Sequence, residues 1–199
     1  MSLAANLAAL ARRLVGTAAN NLVALDGAGK LPAVDGSQLK NLVKQSAEVA
    51  TTSGTAKDFT GIPADAKRII VVWSLVVKSG SAHLVLQLGT YSGIESTGYN
   101  GSSSQSGGSN SGTTGFNYNT GFLISVGSVS TNVHKGVATL AKIGGNKWAL
   151  MSVGGRDDAP YATLTGAEKT LSGVLDRIRF TPSNGTDVFS AGSVSVMWE

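Results

Sequence analysis

The spacing of apolar residues along the chain changes character twice. Leu3, Leu7, Leu10 and Leu14 lie four, three and four residues apart, with alanines and Asn6 between them. That is the heptad seam of a coiled coil. Ser2 is placed to cap such a helix and Gly16 to stop it. Burying a Leu contributes about 1.5–3 kcal/mol, while fixing a backbone residue costs about 1–2 kcal/mol, so roughly fourteen residues with four leucines do not hold a helix alone. The seam predicts a helix over 1–15 that packs on a partner. The partner is its own globular domain, further copies of itself or a larger assembly.

Asn21 to Asn41 follows neither the helical nor the strand period. Asp26-Gly27 and Asp35-Gly36 each follow a branched apolar residue, Leu25 or Val34. Asp tolerates left-handed backbone and Gly reaches positive φ without steric cost, so each pair bends the chain. Leu22, Leu25, Leu31, Val34, Leu39 and Leu42 then sit on short extended arms between bends. One copy has nothing to bury them against, which implies contact with other chains. Val43 to Ser53 is mixed and polar and runs into Thr51-Thr52-Ser53-Gly54. The pattern thus predicts a neck over 16–54 and a separate head over 55–199.

From Thr55 onward the period is two. Ile69, Val71, Trp73, Leu75 and Val77 alternate with Ile70, Val72, Ser74, Val76 and Lys78, which predicts a strand apolar on both faces at first and one-sided toward its end, central in a sandwich. Further strands are predicted at 83–88, 121–126, 133–143, 147–153, 168–173, 175–181 and 192–198, punctuated by turn signals such as Gly144-Gly145-Asn146 and Asn184-Gly185-Thr186. In the last of them Val194, Val196 and Trp198 are expected inward, and Ser193, Ser195 and Met197 outward. About eight short strands without a helical period predict a mainly β head, a two-sheet antiparallel sandwich of jelly-roll-like form. Two segments break the rhythm and read as loops. Gly98 to Asn119 is uncharged, built from Gly, Ser, Thr and Asn, with Tyr99, Phe116 and Tyr118 at its flanks. Gly154 to Gly166 holds Arg156, Asp157, Asp158, Pro160 and Tyr161.

Composition narrows the class. With 26 Gly, 4 Pro, 6% aromatic and 14% charged residues, the chain suits a turn-rich β module better than a helical enzyme. The absence of Cys excludes a disulfide framework, a thiolate metal site and a cysteine nucleophile; oligomerisation is the expected substitute for covalent staples. The net charge of +4 divides evenly, with five basic and three acidic residues in 1–50 against eleven and nine in 51–199. No basic run of the kind that nucleic-acid binders carry is present, so no nucleic-acid partner is expected. The apolar start lacks a positive n-region and is interrupted by Arg12-Arg13, which does not fit a signal peptide. No stretch reaches the roughly 18 apolar residues of a membrane span. A soluble protein, made without export or membrane insertion, is the expectation.

The stretch Leu22-Val-Ala-Leu-Asp-Gly-Ala-Gly-Lys-Leu-Pro-Ala-Val-Asp-Gly-Ser-Gln-Leu39 resembles the ALDGxGKLPAVDGSxL signature of bacteriophage tail fibres and related receptor-binding appendage proteins. There it joins a virion-anchoring N-terminus to a distal domain. Leu171-Ser-Gly-Val-Leu-Asp-Arg-Ile-Arg179, Asn184-Gly-Thr-Asp-Val-Phe189, Ala191-Gly-Ser-Val194 and Asp58-Phe-Thr-Gly-Ile-Pro63 are similar to the C-terminal domain of such fibres. The resemblance implies a homotrimer with an interwoven neck. Leu3, Leu7, Leu10 and Leu14 would join it to other phage tail or baseplate proteins, and the arms from Leu22 to Leu42 would bury against two other copies. It implies a virion component assembled in the cytoplasm of the bacterial host, with distal β domains that meet a host cell-surface glycan or protein. Only 43–53 separates neck from head, so the implied appendage is short, attached at the tail tip, the baseplate or the capsid.

Catalytic constellations are missing from the sequence. It has no Gly-x-Ser-x-Gly elbow, no phosphate-cradling loop ending in Lys-Ser or Lys-Thr, and no His-Glu-x-x-His. His83 and His134 read as surface or edge residues of strands, without the neighbouring carboxylate motif of a metal site; no metal or cofactor is expected. A glycosidase needs two carboxyl groups flanking the scissile bond, and the one adjacent acidic pair, Asp157-Asp158, reads as a solvated turn. The uncharged segment is the better binding candidate, because Tyr gives rigid amphipathic contact area while Ser and Asn give adaptable hydrogen bonds. Tyr99, Asn100, Phe116, Asn117, Tyr118 and Asn119 are its candidate receptor contacts, with Arg156 and Tyr161 as neighbours. The expectation is a non-enzymatic host-attachment protein. The alternatives are a baseplate or capsid adaptor that never touches the host, and a small polysaccharide depolymerase.

Overall fold

The computed structural model describes residues 43–107, 113–158 and 160–199. The predicted helix over 1–15 and the arms from Leu22 to Leu42 lie outside the described residues. Those described form fourteen strands and no helix. In chain order they are β1 Lys44–Gln45, β2 Val49–Ala50, β3 Lys57–Thr60, β4 Arg68–Lys78, β5 Leu84–Thr90, β6 Gly93–Ile94 and β7 Tyr99–Gly107. There follow β8 Thr113–Asn117, β9 Phe122–Ser125, β10 His134–Gly144, β11 Lys147–Arg156, β12 Tyr161–Thr170, β13 Arg177–Pro182 and β14 Phe189–Trp198.

These strands make two antiparallel sheets. A nine-stranded sheet runs β1, β14, β4, β10, β11, β12, β7, β8, with β2 also on β14; a five-stranded sheet runs β3, β13, β5, β6, with β9 also on β5. One core lies between them. From the large sheet it takes Ile69, Val71, Trp73, Leu140, Trp148 and Leu150, and from the small sheet Leu84, Leu86, Leu88, Ile178 and Phe180. Trp73 meets Phe180 with ring centroids 6.2 Å apart, and Phe180 stacks on Phe189 at 5.5 Å. Each buried aliphatic or aromatic side chain of this set contributes about 1.5–3 kcal/mol. A smaller cluster of Val85, Leu123 and Val126 sits apart from it, capped by Phe116 and Tyr118.

The compact β unit starts at Val43, ahead of the expected boundary at Thr55. The Ser46 N–H donates to Val196 O at 2.8 Å and the Thr51 N–H to Gly192 O at 2.8 Å, so this polar stretch is a sheet edge. Two-residue pairings carry too little apolar periodicity to be read as strands.

β4 departs from its expected alternation halfway along. Ile69, Val71 and Trp73 are buried as the pattern requires, but Leu75 is exposed at φ 52° while Val76 and Lys78 are buried. A bulge inserts one residue here and reverses the faces beyond it, with register shifts against both β10 and β14. Gly192 makes the bulge possible on the β14 side. It has φ 92°, and a Cβ there would stand 2.5 Å from the Leu75 backbone, which no other residue accommodates.

Both expected loops are largely strand. Gly98 to Asn119 contains β7 and β8, which pair antiparallel, and β7 pairs with β12 over nine registers from Tyr161↔Gly107 to Lys169↔Tyr99. Backbone ladder bonds form whatever the side chain, so a Ser- and Gly-rich strand can be held by its neighbour although its own β propensity is low. Gly154 to Gly166 takes in the end of β11 and most of β12. In β14, Val194 and Val196 are buried and Trp198 packs against the core.

Candidate functional site

The outward face of the large sheet is where exposed side chains converge. Its registers align them in rows. Val72, Val137, Val153, Leu164, Ser104 and Gly115 are successive cross-strand neighbours on β4, β10, β11, β12, β7 and β8. The next row is Ile70, Thr139, Met151, Gly166, Ser102 and Asn117. A third runs Arg68, Ala141, Ala149, Glu168, Asn100. The face therefore grades from apolar over β4, β10 and β11 to hydroxyl and amide over β7 and β8. The first two rows carry no charged side chain.

A shallow trough follows this gradient. Gly166 forms its floor, since a Cβ there would meet nothing within 4 Å. Asn100, Ser102, Asn117 and Glu168 line one part, of about 470 Å³. Met151, Val153 and Leu164 line the adjoining part, of about 520 Å³, with Ser102, Ser104 and Gly115 opposite. The Glu168 carboxylate pairs with Lys147 Nζ at 2.8 Å, leaving the Asn amides and Ser hydroxyls as the trough's uncommitted polar groups. A wall that hydrogen-bonds and a wall that is apolar suit a ligand with hydroxyls on one side and ring carbons on the other.

The candidate residues divide among three places. Asn100 and Asn117 line the trough, and Asn119 adjoins it beside Tyr118. The Tyr99 ring is not a contact surface, because it is buried in the core edge-on to Phe122 at 4.8 Å. Its hydroxyl donates to Glu95 O at 2.8 Å and accepts the Leu88 N–H at 2.6 Å, and burial pushes its pKa up. Phe116 and Tyr118 turn inward against the His83 ring at 5.4 and 5.9 Å. Arg156 stacks over Tyr161 at 4.7 Å at the far end of β11 and pairs with Asp158, whose carboxyl it holds below the usual range. Asp157 pairs instead with Lys135. The adjacent carboxylates thus serve different cations.

A buried polar group inside the sandwich had no signal in the sequence. His134 is not a surface residue; it is fully buried, with Nδ1 2.8 Å from Ser125 Oγ and no partner at Nε2. Burial, then the nearby Lys78 and Arg156 cations, push its pKa down to about 3, with Asp158 opposing. His83 Nδ1 accepts the Gly127 N–H at 3.1 Å, and burial lowers its pKa as well. Lys78 is buried, donates to Gly80 O at 2.8 Å, and is lowered by burial against the pull of Asp187. The bulge after Trp73 is what turns Lys78 inward. Ser125 and His134 are sealed from solvent, so this dyad reaches no substrate. Among the described residues no cluster of three His, Asp or Glu side chains could hold a metal ion, and no helix is long and apolar enough to cross a membrane.

The described residues thus form an antiparallel β unit whose large sheet carries a shallow trough, graded from apolar to polar, on its outer face. Comparison with protein-family models, with curated proteins and with solved structures found no match in any of the three.

Proposed function

We propose that this chain is a short, non-enzymatic appendage protein of a bacteriophage virion that attaches to the host surface through the trough around Gly166. The observation that carries the reading is that trough, with Asn and Ser side chains facing Met151 and Leu164 across a glycine floor. Hydroxyl-rich, ring-bearing glycans match both walls. The carboxylates that a depolymerase would need near one bond are committed to Lys135 and Arg156, which favours binding over cleavage. In this reading the β unit is a jelly-roll-like head, 1–15 anchors it to other tail or baseplate proteins, and the neck joins three copies. Three weak sites on one appendage raise avidity by roughly 10² to 10⁴.

The purified full-length chain should compete with its phage for adsorption to host cells. Gly166→Gln, which fills the floor, and the Asn100→Ala, Asn117→Ala pair should each weaken that competition at least about tenfold with the circular dichroism unchanged. Equal competition by all variants would remove the trough from the role. Failure of the unaltered chain to compete at saturation would favour the second reading, a baseplate or capsid adaptor, to which the exposed Val137, Met151 and Val153 also point.

A further inference from the structure

We infer that the trough selects a neutral saccharide and rejects an acidic one, with Glu168 as the specificity-determining residue. This rests on the trough being the attachment site and specifies the chemistry of its ligand. Among the described residues that line the trough, Glu168 is the one charged side chain. It stands directly across from Asn100 in the β12–β7 register, and its side chain is 42% exposed. Lys147 Nζ occupies Oε2 at 2.8 Å, while Oε1 makes no hydrogen bond among the described residues. A carboxylate offers about four lone-pair sites, so Glu168 keeps acceptor capacity toward the trough.

Carboxylate, amides and hydroxyls together match the edge of a neutral sugar. Adjacent sugar hydroxyls can donate to Glu168 while Asn100 both donates and accepts beside it, and hydrogen bonds to an ionised group are roughly twice as strong as neutral ones. Ser102 and Asn117, paired across β7 and β8, continue that polar edge. Met151, Val153 and Leu164 take the apolar face of the ring. From β11 to β8 the strand spacing gives about 14 Å, which suits a short run of linked rings. A uronate carboxylate or a phosphate along the same edge would face Glu168 with no unpaired cation beside it, because Lys147 is held by Glu168, Lys135 by Asp157 and Arg156 by Asp158. An uncompensated like charge discriminates against such a ligand. The chain as a whole predicts the opposite order. Its net charge of +4 attracts acidic polymers non-specifically, so a preference for neutral sugars has to come from the site.

The test uses the full-length chain and trisaccharides of glucose, galactose and mannose, immobilised at equal density beside those of the corresponding uronic acids, at about 0.15 M salt, where long-range attraction is screened. A neutral trisaccharide should bind at least about tenfold more tightly than its uronic-acid counterpart. Glu168→Gln keeps the shape and frees Lys147; it should lower that ratio at least about tenfold, weakening the neutral ligand and admitting the acidic one, with the circular dichroism unchanged. An unchanged ratio, or an equal loss for both ligands, would overturn the inference, because Glu168 then does not discriminate. Tighter binding of the uronic acids would overturn it as well; if Gly166→Gln blocks that binding, the trough still attaches. Absence of binding to every trisaccharide would also overturn it, and competition for adsorption by Gly166→Gln then decides separately whether the trough attaches at all.

Discussion

The two faces of the nine-stranded sheet share one backbone and differ in what completes them. Ile69, Val71 and Trp73 face inward and find Phe180 and the rest of the core within the same chain. Ile70 and Val72, their immediate neighbours, face outward and are half-buried, beside the exposed Val137, Met151 and Val153. Apolar residues on the first face specify the fold, and those on the second are surplus to it. The contrast teaches that hydrophobic content alone does not measure folding stability, because much of what β4, β10 and β11 carry lies outside the core.

The sharpest test of this contrast is on the inner face. Trp73→Ala should destabilise the β unit by about 3–5 kcal/mol, since it deletes a fully buried ring and leaves a cavity against Phe180 and Gly136. Urea unfolding of the full chain would measure it. A loss under about 1 kcal/mol would mean that the inner face is no better packed than the outer.

The next largest effect comes from the buried histidine. The folded pKa of His134 is about 3 and that of an unfolded His about 6.5. Between those values the unfolded chain holds a proton that the folded chain does not, so stability falls as pH drops. The slope approaches 1.4 kcal/mol per pH unit, a loss of roughly 2–3 kcal/mol from pH 6.5 to 4.5. His83, also lowered by burial, adds in the same direction. Glu95 and Asp158, both held below the carboxylate range, contribute stability above about pH 4 and lose it below, outside this window. Urea midpoints across the window should fall less steeply for His134→Gln; an unchanged slope would mean that His134 titrates freely.

Lys78 tests whether the inner face tolerates charge by necessity or by default. It is fully buried and makes one hydrogen bond, to Gly80 O, while Asp187 is already engaged by the Ala82 N–H and Asn184 Nδ2 at 3.0 and 2.8 Å. Removing a desolvated cation without a close carboxylate partner should help. Lys78→Met is expected to raise stability by about 1 kcal/mol, measured by the urea midpoint; a clear loss would show that the cation holds the Ser79–Val188 turn region together.

Much of the fold is legible in the sequence. The period-two runs locate β4, β5, β9, β10, β11, β13 and β14 within a few residues, because each has a buried apolar face. The strands that escaped lack one. β7 is Tyr-Asn-Gly-Ser-Ser-Ser-Gln-Ser-Gly, and its strand state comes from pairing with β12, a long-range term that no local window contains. The same limit applies to the site. Asn100 and Asn117 were legible by composition, but the trough needs Gly166 and Glu168, which sit far along the chain and read as ordinary turn and strand residues. Tyr99 lies in the core and not in the trough, because a flanking aromatic of a polar segment can equally serve as its anchor. The burial of His134 and Lys78 escapes the sequence because the bulge at Leu75, which decides what faces inward, has no signature beyond Gly192.

The smallest expected effect falls on the outer face, and its smallness is informative. Met151→Thr replaces an exposed side chain at a strand position that Thr fits well. Surface substitutions of this kind stay within about ±0.5 kcal/mol, so the urea midpoint should barely move. If the variant loses more than about 2 kcal/mol, Met151 is already packed within one chain, and the two faces of the sheet are alike after all.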